Sequence, residues 1–145
     1  MRDIAKEAET VIKALIVKKP HYNKKLQKME MRDELNLKTN QIRKFLTAVN
    51  AITNKVNVYK AKHLDATELP DELAGEIQFL KVKAAYQAGK ERENKKHKNN
   101  VKEFMEQSKM KHHIEGIGTS ISKYEEFAHY VEALVAYHKF YGGND

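Results

Sequence analysis

The sequence predicts an all-α fold: a single-domain bundle of about five helices spanning residues 1–145. Three observations carry this expectation. Apolar residues recur at three- and four-residue steps along most of the chain, which is the period of a helix with one buried face. Glycine and proline, the residues that interrupt helices, number only 6 and 2. No stretch shows the two-residue alternation of a half-buried strand. At 145 residues the chain sits near the commonest single-domain size, so one core is expected.

The first helix is expected over residues 3–18, where Ile4, Ala8, Val11, Ile12, Leu15 and Ile16 share a face. It should end before Pro20, because proline disfavours helix in the residue ahead of it. Residues 21–36 are strongly charged and weakly patterned, with Leu26, Met29, Met31 and Leu35 forming a short helix or an ordered connection. The second helix, residues 40–63, has Thr39 as its N-cap and places Ile42, Phe45, Leu46, Val49, Ile52, Val56 and Tyr59 on one face. The third, residues 70–93, opens on Pro70 with Asp71 and Glu72 at the positive end of its dipole. Leu73, Ile77, Leu80, Ala84 and Ala88 form its stripe, and the apolar-free run KERENKKHKNN follows as a solvated extension or a loop.

A fourth helix over 100–114 starts with Val101, Phe104 and Met105 and is terminated by the glycines of EGIG. The last, residues 122–141, opens with Ser122 and Glu125 at capping-box spacing, and Gly142 and Gly143 stop it. Tyr130, Tyr137 and Tyr141 fall roughly opposite part of its Phe127 and Leu134 stripe. A helix apolar on two sides is buried or meets a partner.

Composition narrows the chemistry. With no cysteine, disulfides, thiolate nucleophiles and cysteine zinc sites are all excluded, and a cytoplasmic location is the simplest expectation. The first twenty residues lack the unbroken apolar core of a signal peptide, and no run approaches the roughly 20 apolar residues that cross a bilayer. Glu126 and His129 have the Glu-x-x-His spacing of di-iron bundles, but the second copy and the two further glutamates such a site needs are missing. The sequence also has no nucleophile elbow and no glycine-rich phosphate loop. A non-enzyme without metal or cofactor is therefore expected.

Basic residues are the better lead. Lys and Arg outnumber Asp and Glu by 27 to 20, a net charge of +7, which matters where it gathers on one face. On the second helix Arg43, Thr47, Asn50 and Asn54 line one polar face. On the third, Lys83, Tyr86 and Lys90 form one ridge, and Lys81, Ala85, Ala88 and Arg92 another, with Lys95, Lys96 and Lys98 beyond. Phosphate oxygens accept hydrogen bonds from such groups whatever the base. The competing reading is a solvated face with internal Glu–Lys pairs.

Three blocks carry a family resemblance. Leu37-Lys-Thr-Asn-Gln-Ile-Arg-Lys-Phe45 resembles the signature Leu-Thr-Thr-Ser-Gln-Ile-Arg-x-Phe of the small subunit of type III-A CRISPR-Cas effector complexes. Lys81-Val-Lys-Ala-Ala-Tyr-Gln-Ala-Gly-Lys90 is similar to that family's Arg-Pro-Lys-x-Ala-Tyr-x-x-Gly-Arg stretch, and Phe127 to Gly143 resembles its closing helix. The blocks occur in the family's order. Lys38, Asn40 and Val82 depart from it, and the first 36 residues match nothing in it.

The resemblance implies an all-helical, non-catalytic subunit present in several self-associating copies and acting in antiviral defence. Its implied partners are guide RNA, target RNA, the repeated backbone subunit that cuts RNA, and the large Palm-domain subunit. Guide pairing supplies sequence specificity in such systems, so a subunit that reads only backbone suffices. Carried onto matched positions, Arg43 is the first phosphate ligand, Lys81, Lys83 and Lys90 are next, Lys44 and Arg92 are weaker, and Tyr86 packs or meets a ribose. The alternative is a stand-alone helical regulator of nucleic acid. It would need a tight helix-turn-helix partner for residues 40–63, which the sequence lacks.

Overall fold

A computed structural model describes residues 2–91 and 99–143. Helix α1 (Ile4–Ala14) starts where the Asp3 carboxylate accepts a hydrogen bond from the Lys6 amide at 3.0 Å. It ends four residues short of the expected 18, because the chain turns there into a β-hairpin. Strand β1 (Ile16–Asn23) pairs antiparallel with β2 (Lys28–Leu35), Ile16 opposite Leu35 and Asn23 opposite Lys28. The all-α expectation is thereby corrected to a mostly helical fold with one two-stranded antiparallel sheet.

The hairpin has a local physical cause. Pro20 has no amide hydrogen to donate, and in a two-stranded sheet each strand keeps an open edge where none is needed. At the turn the Asn23 side-chain oxygen accepts from the amides of Lys25 (3.0 Å) and Leu26 (3.1 Å), and Gln27 takes a positive φ of 51°. Only Leu35 among its residues is buried. Without a buried face the strands need no alternation, which explains why the sequence pattern did not reveal them.

Helix α2 (Thr39–Lys62) matches the expected element closely, but its cap differs: Lys38 is the N-cap residue, and the Gln41 side chain accepts from the Lys38 amide at 2.8 Å. Helix α3 (Asp71–Lys90) starts one residue later than expected, with Pro70 in the extended N-cap position rather than in the first turn. The expected helix over 100–114 is two: α4 (Asn100–Gln107) and α5 (Met110–Glu115), broken where Lys109 adopts the left-handed conformation with φ 54°. Ser108 ahead of the break is fully buried, and its carbonyl accepts from the Tyr130 hydroxyl at 2.8 Å. Helix α6 (Ile121–Phe140) is capped by Ser120, which accepts from the Lys123 amide, and not by Ser122. Glu125, expected in a capping box, is instead paired with Lys60 at 2.6 Å.

Helix α6 packs along α1 and touches α2 more sparsely, while α3 packs against α2, α4 and α5. The sequence expected two apolar sides on α6, and the core accordingly takes in Tyr124, Phe127, Tyr130 and Leu134. Ile12, Phe45, Ile77, Leu80 and Ile114 close around them. Burying each of these large side chains contributes about 1.5–3 kcal/mol. The loop after α2 is held to the start of α6 by backbone bonds from Leu69 to Thr119 (2.7 Å) and from Ile121 to Thr67 (3.1 Å). This packing fixes the relative rotation of α2 and α3, and hence which of their side chains meet outside.

Candidate nucleic-acid interface

Outside the core, α2 and α3 enclose an open hollow of ≈ 260 Å³ lined by Lys44, Phe45, Phe79, Val82, Lys83, Tyr86 and Gln87. Phe45 and Gln87 are buried and form its floor; Phe79, Val82 and Tyr86 are each more than half exposed. The Lys90 ammonium lies 5.7 Å from the centre of the Tyr86 ring, a cation–π distance. A second hollow, ≈ 470 Å³ and lined by Ala48, Ala51, Ile52, Lys55, Gly75, Glu76, Phe79 and Lys83, adjoins the first. The Lys55–Glu76 ion pair (2.7 Å) spans the two helices within that lining. The result is an apolar, partly aromatic strip edged by lysines and by Glu76, which Lys55 pairs.

Four sequence-derived residues thus come together: Lys44, Lys83 and Tyr86 around the hollow, with Lys90 over the tyrosine. Lys81 does not join them. Successive helical residues turn about 100°, which puts Lys81 and Lys83 on opposite flanks of the α3 stripe. Lys81 lies in a separate hollow with Ala84, Ala88 and Met105, and its ammonium is 3.3 Å from Glu115. Arg43 is exposed on the outer ridge of α2, about 100° from Lys44 and in line with Thr47 and Asn54. Arg92, together with Lys95, Lys96 and Lys98, lies outside the described residues.

Sequence reasoning missed Phe79, Val82 and Gln87. Phe79 had a legible signal, since it falls off the Leu73, Ile77, Leu80 and Ala84 stripe and a large aromatic outside the core stripe marks a contact surface. Gln87 had none: it is 4% exposed at a stripe position where an apolar residue would be expected.

Two other polar clusters test the remaining chemistry. Between α2 and α6 a hollow of ≈ 410 Å³ is lined by Asn50, Thr53, Asn57, Glu125, His129 and Glu132, among others. The Tyr124 hydroxyl lies 2.8 Å from Thr53 Oγ1 and 3.1 Å from the Val49 carbonyl oxygen, and burial raises its pKa. Glu126 does not share this site with His129, because its carboxylate takes a hydrogen bond from Arg2 at 2.7 Å. Among the described residues no three His, Asp or Glu side chains gather as a metal site.

Arg2 also grips Glu7 at 2.6 Å and sits 5.1 Å over the Tyr130 ring, with His113 3.3 Å away through Nδ1. The hydrogen bond from Arg2 holds the Glu7 carboxyl below its ordinary pKa. Burial, and then the Arg2 charge, lower that of His113. Burial pushes the Tyr130 hydroxyl up to about 12. This cluster is closed upon itself and joins α1, α5 and α6.

Among the described residues no helix is long and apolar enough to cross a membrane. Compared with known protein families, residues 18–144 match the family described as Csm2 Type III-A. The "CRISPR system Cms protein Csm2" of Streptococcus thermophilus is 33% identical over 109 residues, covering 75% of this chain and 76% of that protein. The protein so named from Enterococcus italicus is 30% identical over 129 residues, covering 85% and 84%. The one from Mycobacterium tuberculosis (strain H37Rv) is 36% identical over 77 residues, covering 53% and 56%.

Proposed function

Because the chain belongs to the Csm2 family, the small subunit of the type III-A CRISPR effector complex, we propose that it holds an RNA backbone on the α2–α3 rim without catalysing a reaction. The observation that carries this reading is the convergence of Lys44 and Lys83 on one hollow with Tyr86, and of Lys90 on the Tyr86 ring. Two ammonium groups from different helices, spaced by an aromatic, suit a strand whose phosphates alternate with flat sugars and bases. Lysine donates to phosphate oxygens without regard to base, so contact at this rim is sequence-independent. Phe79 and Val82 give the strand, or a neighbouring subunit, an apolar surface at the same rim.

Arg43 serves as an outlying phosphate contact on the outer ridge of α2, reached by a strand that leaves the groove across Lys44. Lys81, held by Glu115, contributes least. The partners in this reading are guide and target RNA, the repeated backbone subunit, the large Palm-domain subunit and further copies of this chain. The rim and those neighbours together support complex assembly.

The experiment is RNA binding by the full chain with Lys44→Ala plus Lys83→Ala, against Lys81→Ala as the comparison. The double variant should weaken binding of unstructured RNA of any sequence, most visibly at low salt, while Lys81→Ala stays near the parent. Equal binding by the double variant and the parent would overturn the assignment. A preference of the parent for duplex DNA would instead support a stand-alone regulator.

A further inference from the structure

The hairpin carries a surface the α2–α3 rim does not explain. Strand pairing sets Ile16, Lys18, Pro20 and Tyr22 on one face with Leu35, Asp33, Met31 and Met29 opposite them. Near the bundle this face is anchored by buried Leu35. Farther out Tyr22, Met29 and Met31 on this face are 57%, 60% and 61% exposed, and Leu26 in the turn beyond them is 58% exposed. Methionine and leucine in a row on a projecting hairpin gain little from water and much from an apolar partner.

On this face Asp33 stands opposite Lys18, and beyond them the charge is one-sided. From Tyr22 to Met29 the tip holds Lys24, Lys25 and Lys28, all exposed, and no acidic residue. The acids nearest by on the other face are already engaged, Glu30 with Arg32 at 2.9 Å and Glu34 with His21 and Lys19. The tip beyond Tyr22 and Met29 therefore carries positive charge that no acid at the tip neutralises, Lys24 and Lys25 in the turn and Lys28 on the opposite face of its strand.

We infer that the hairpin docks into an acid-rimmed apolar surface of another protein subunit of the effector complex. Carboxylates on that surface meet Lys24 and Lys25 in the turn, with Lys28 reaching round from the other face, and its apolar centre covers Tyr22, Met29 and Met31. RNA fits less well, because a ribose-phosphate strand would satisfy the lysines yet leave the methionines and Leu26 in water. A second copy also fits less well, since the apolar rim it offers is itself edged by Lys44, Lys83 and Lys90. The inference rests on membership of the complex and not on RNA contact at α2–α3.

The test is methionine oxidation by hydroxyl radicals, read by mass spectrometry in three samples: the full chain alone, the chain with saturating single-stranded RNA, and the chain assembled with companion subunits on guide RNA. Met29 and Met31 should oxidise freely in the first two and at least about fivefold more slowly in the third, as burial in a packed interface requires. Lys24→Glu with Lys25→Glu and Lys28→Glu should weaken incorporation into the complex at least about tenfold. Circular dichroism of the isolated triple variant should match the parent's, which separates lost docking from lost folding. Protection by RNA alone would overturn the inference in favour of an RNA contact, and concentration-dependent protection of the isolated chain in favour of a second copy. Full exposure in the complex, or unchanged incorporation of the triple variant, would overturn it outright.

Discussion

Asn99 fixes the end of the helix that carries Lys83, Tyr86 and Lys90, and replacing it tests how that rim is held. Its side-chain amide donates to the carbonyl oxygens of Ala88 (2.7 Å) and Glu91 (3.2 Å), and its oxygen accepts from the Lys102 amide (2.9 Å) at the start of α4. One side chain thus closes the C-terminus of α3 and caps the N-terminus of α4. Asn99→Ala removes an N-cap, about 1 kcal/mol, and two hydrogen bonds of about 0.5–1.5 kcal/mol each. The sum is about 2–4 kcal/mol, or a fall in Tm of roughly 5–15 °C for a chain of this size. Asn99→Asp keeps the acceptor for Lys102 but loses both donated bonds and sets a buried carboxylate against two carbonyl oxygens, so it should melt no higher than Ala. Circular dichroism melts measure the stability, and hydrogen exchange at residues 86–90 reports whether the end of α3 frays. An Asn99→Ala melt within about 1 °C of the parent, or unchanged exchange at those amides, would refute the clamp.

Two further outcomes follow from the buried polar groups. Tyr130→Phe leaves the Ser108 carbonyl without its donor in a fully buried position and should cost about 1–3 kcal/mol in urea denaturation, with the fold retained. Stability should also fall on both sides of neutral pH in thermal melts. His113 binds its proton less readily folded than unfolded, so below its ordinary 6.5 the unfolded chain takes up a proton that the folded one refuses, and stability drops on acidification. Glu7 adds to this below about its ordinary 4.5, where its bond from Arg2 is lost as the carboxylate is protonated. At the alkaline end Tyr130, raised to about 12, stays neutral when folded after it would ionise unfolded, so stability falls as pH rises past 10. His113→Gln should flatten the decline between pH 7 and 5.5.

What the sequence makes legible follows the physics of burial. The stripes of α2 and α3 are legible because a helix between a core and water must repeat its apolar residues at its own period, and Ile42, Phe45, Val49, Ile52 and Val56 do so. The hairpin is not legible, because its side chains are nearly all exposed and its turn depends on one asparagine and a positive-φ glutamine. The break between α4 and α5 is equally hidden: Lys109, not a glycine, takes the left-handed conformation. Local chemistry also chose among equivalent caps, with Ser120 rather than Ser122 and Gln41 reaching back to Lys38.

The rim divides in the same way. Spacing alone places Lys83, Tyr86 and Lys90 along one ridge of α3. Which side of α2 faces them depends on how the two helices rotate against the core, so Lys44 lines the hollow and Arg43 lies on the next ridge outward. Tertiary pairing likewise takes Lys81 to Glu115, a residue 34 positions away.

The central claim, that the α2–α3 rim holds an RNA backbone by charge, is tested most directly by the salt dependence of RNA binding. Each phosphate neutralised on a single strand contributes about 0.7 to the slope of log K against log salt concentration. Lys44→Ala plus Lys83→Ala should therefore flatten that slope by about 1.4, equally for RNAs of different sequence. A slope unchanged from the parent, or a loss confined to one sequence, would contradict the account.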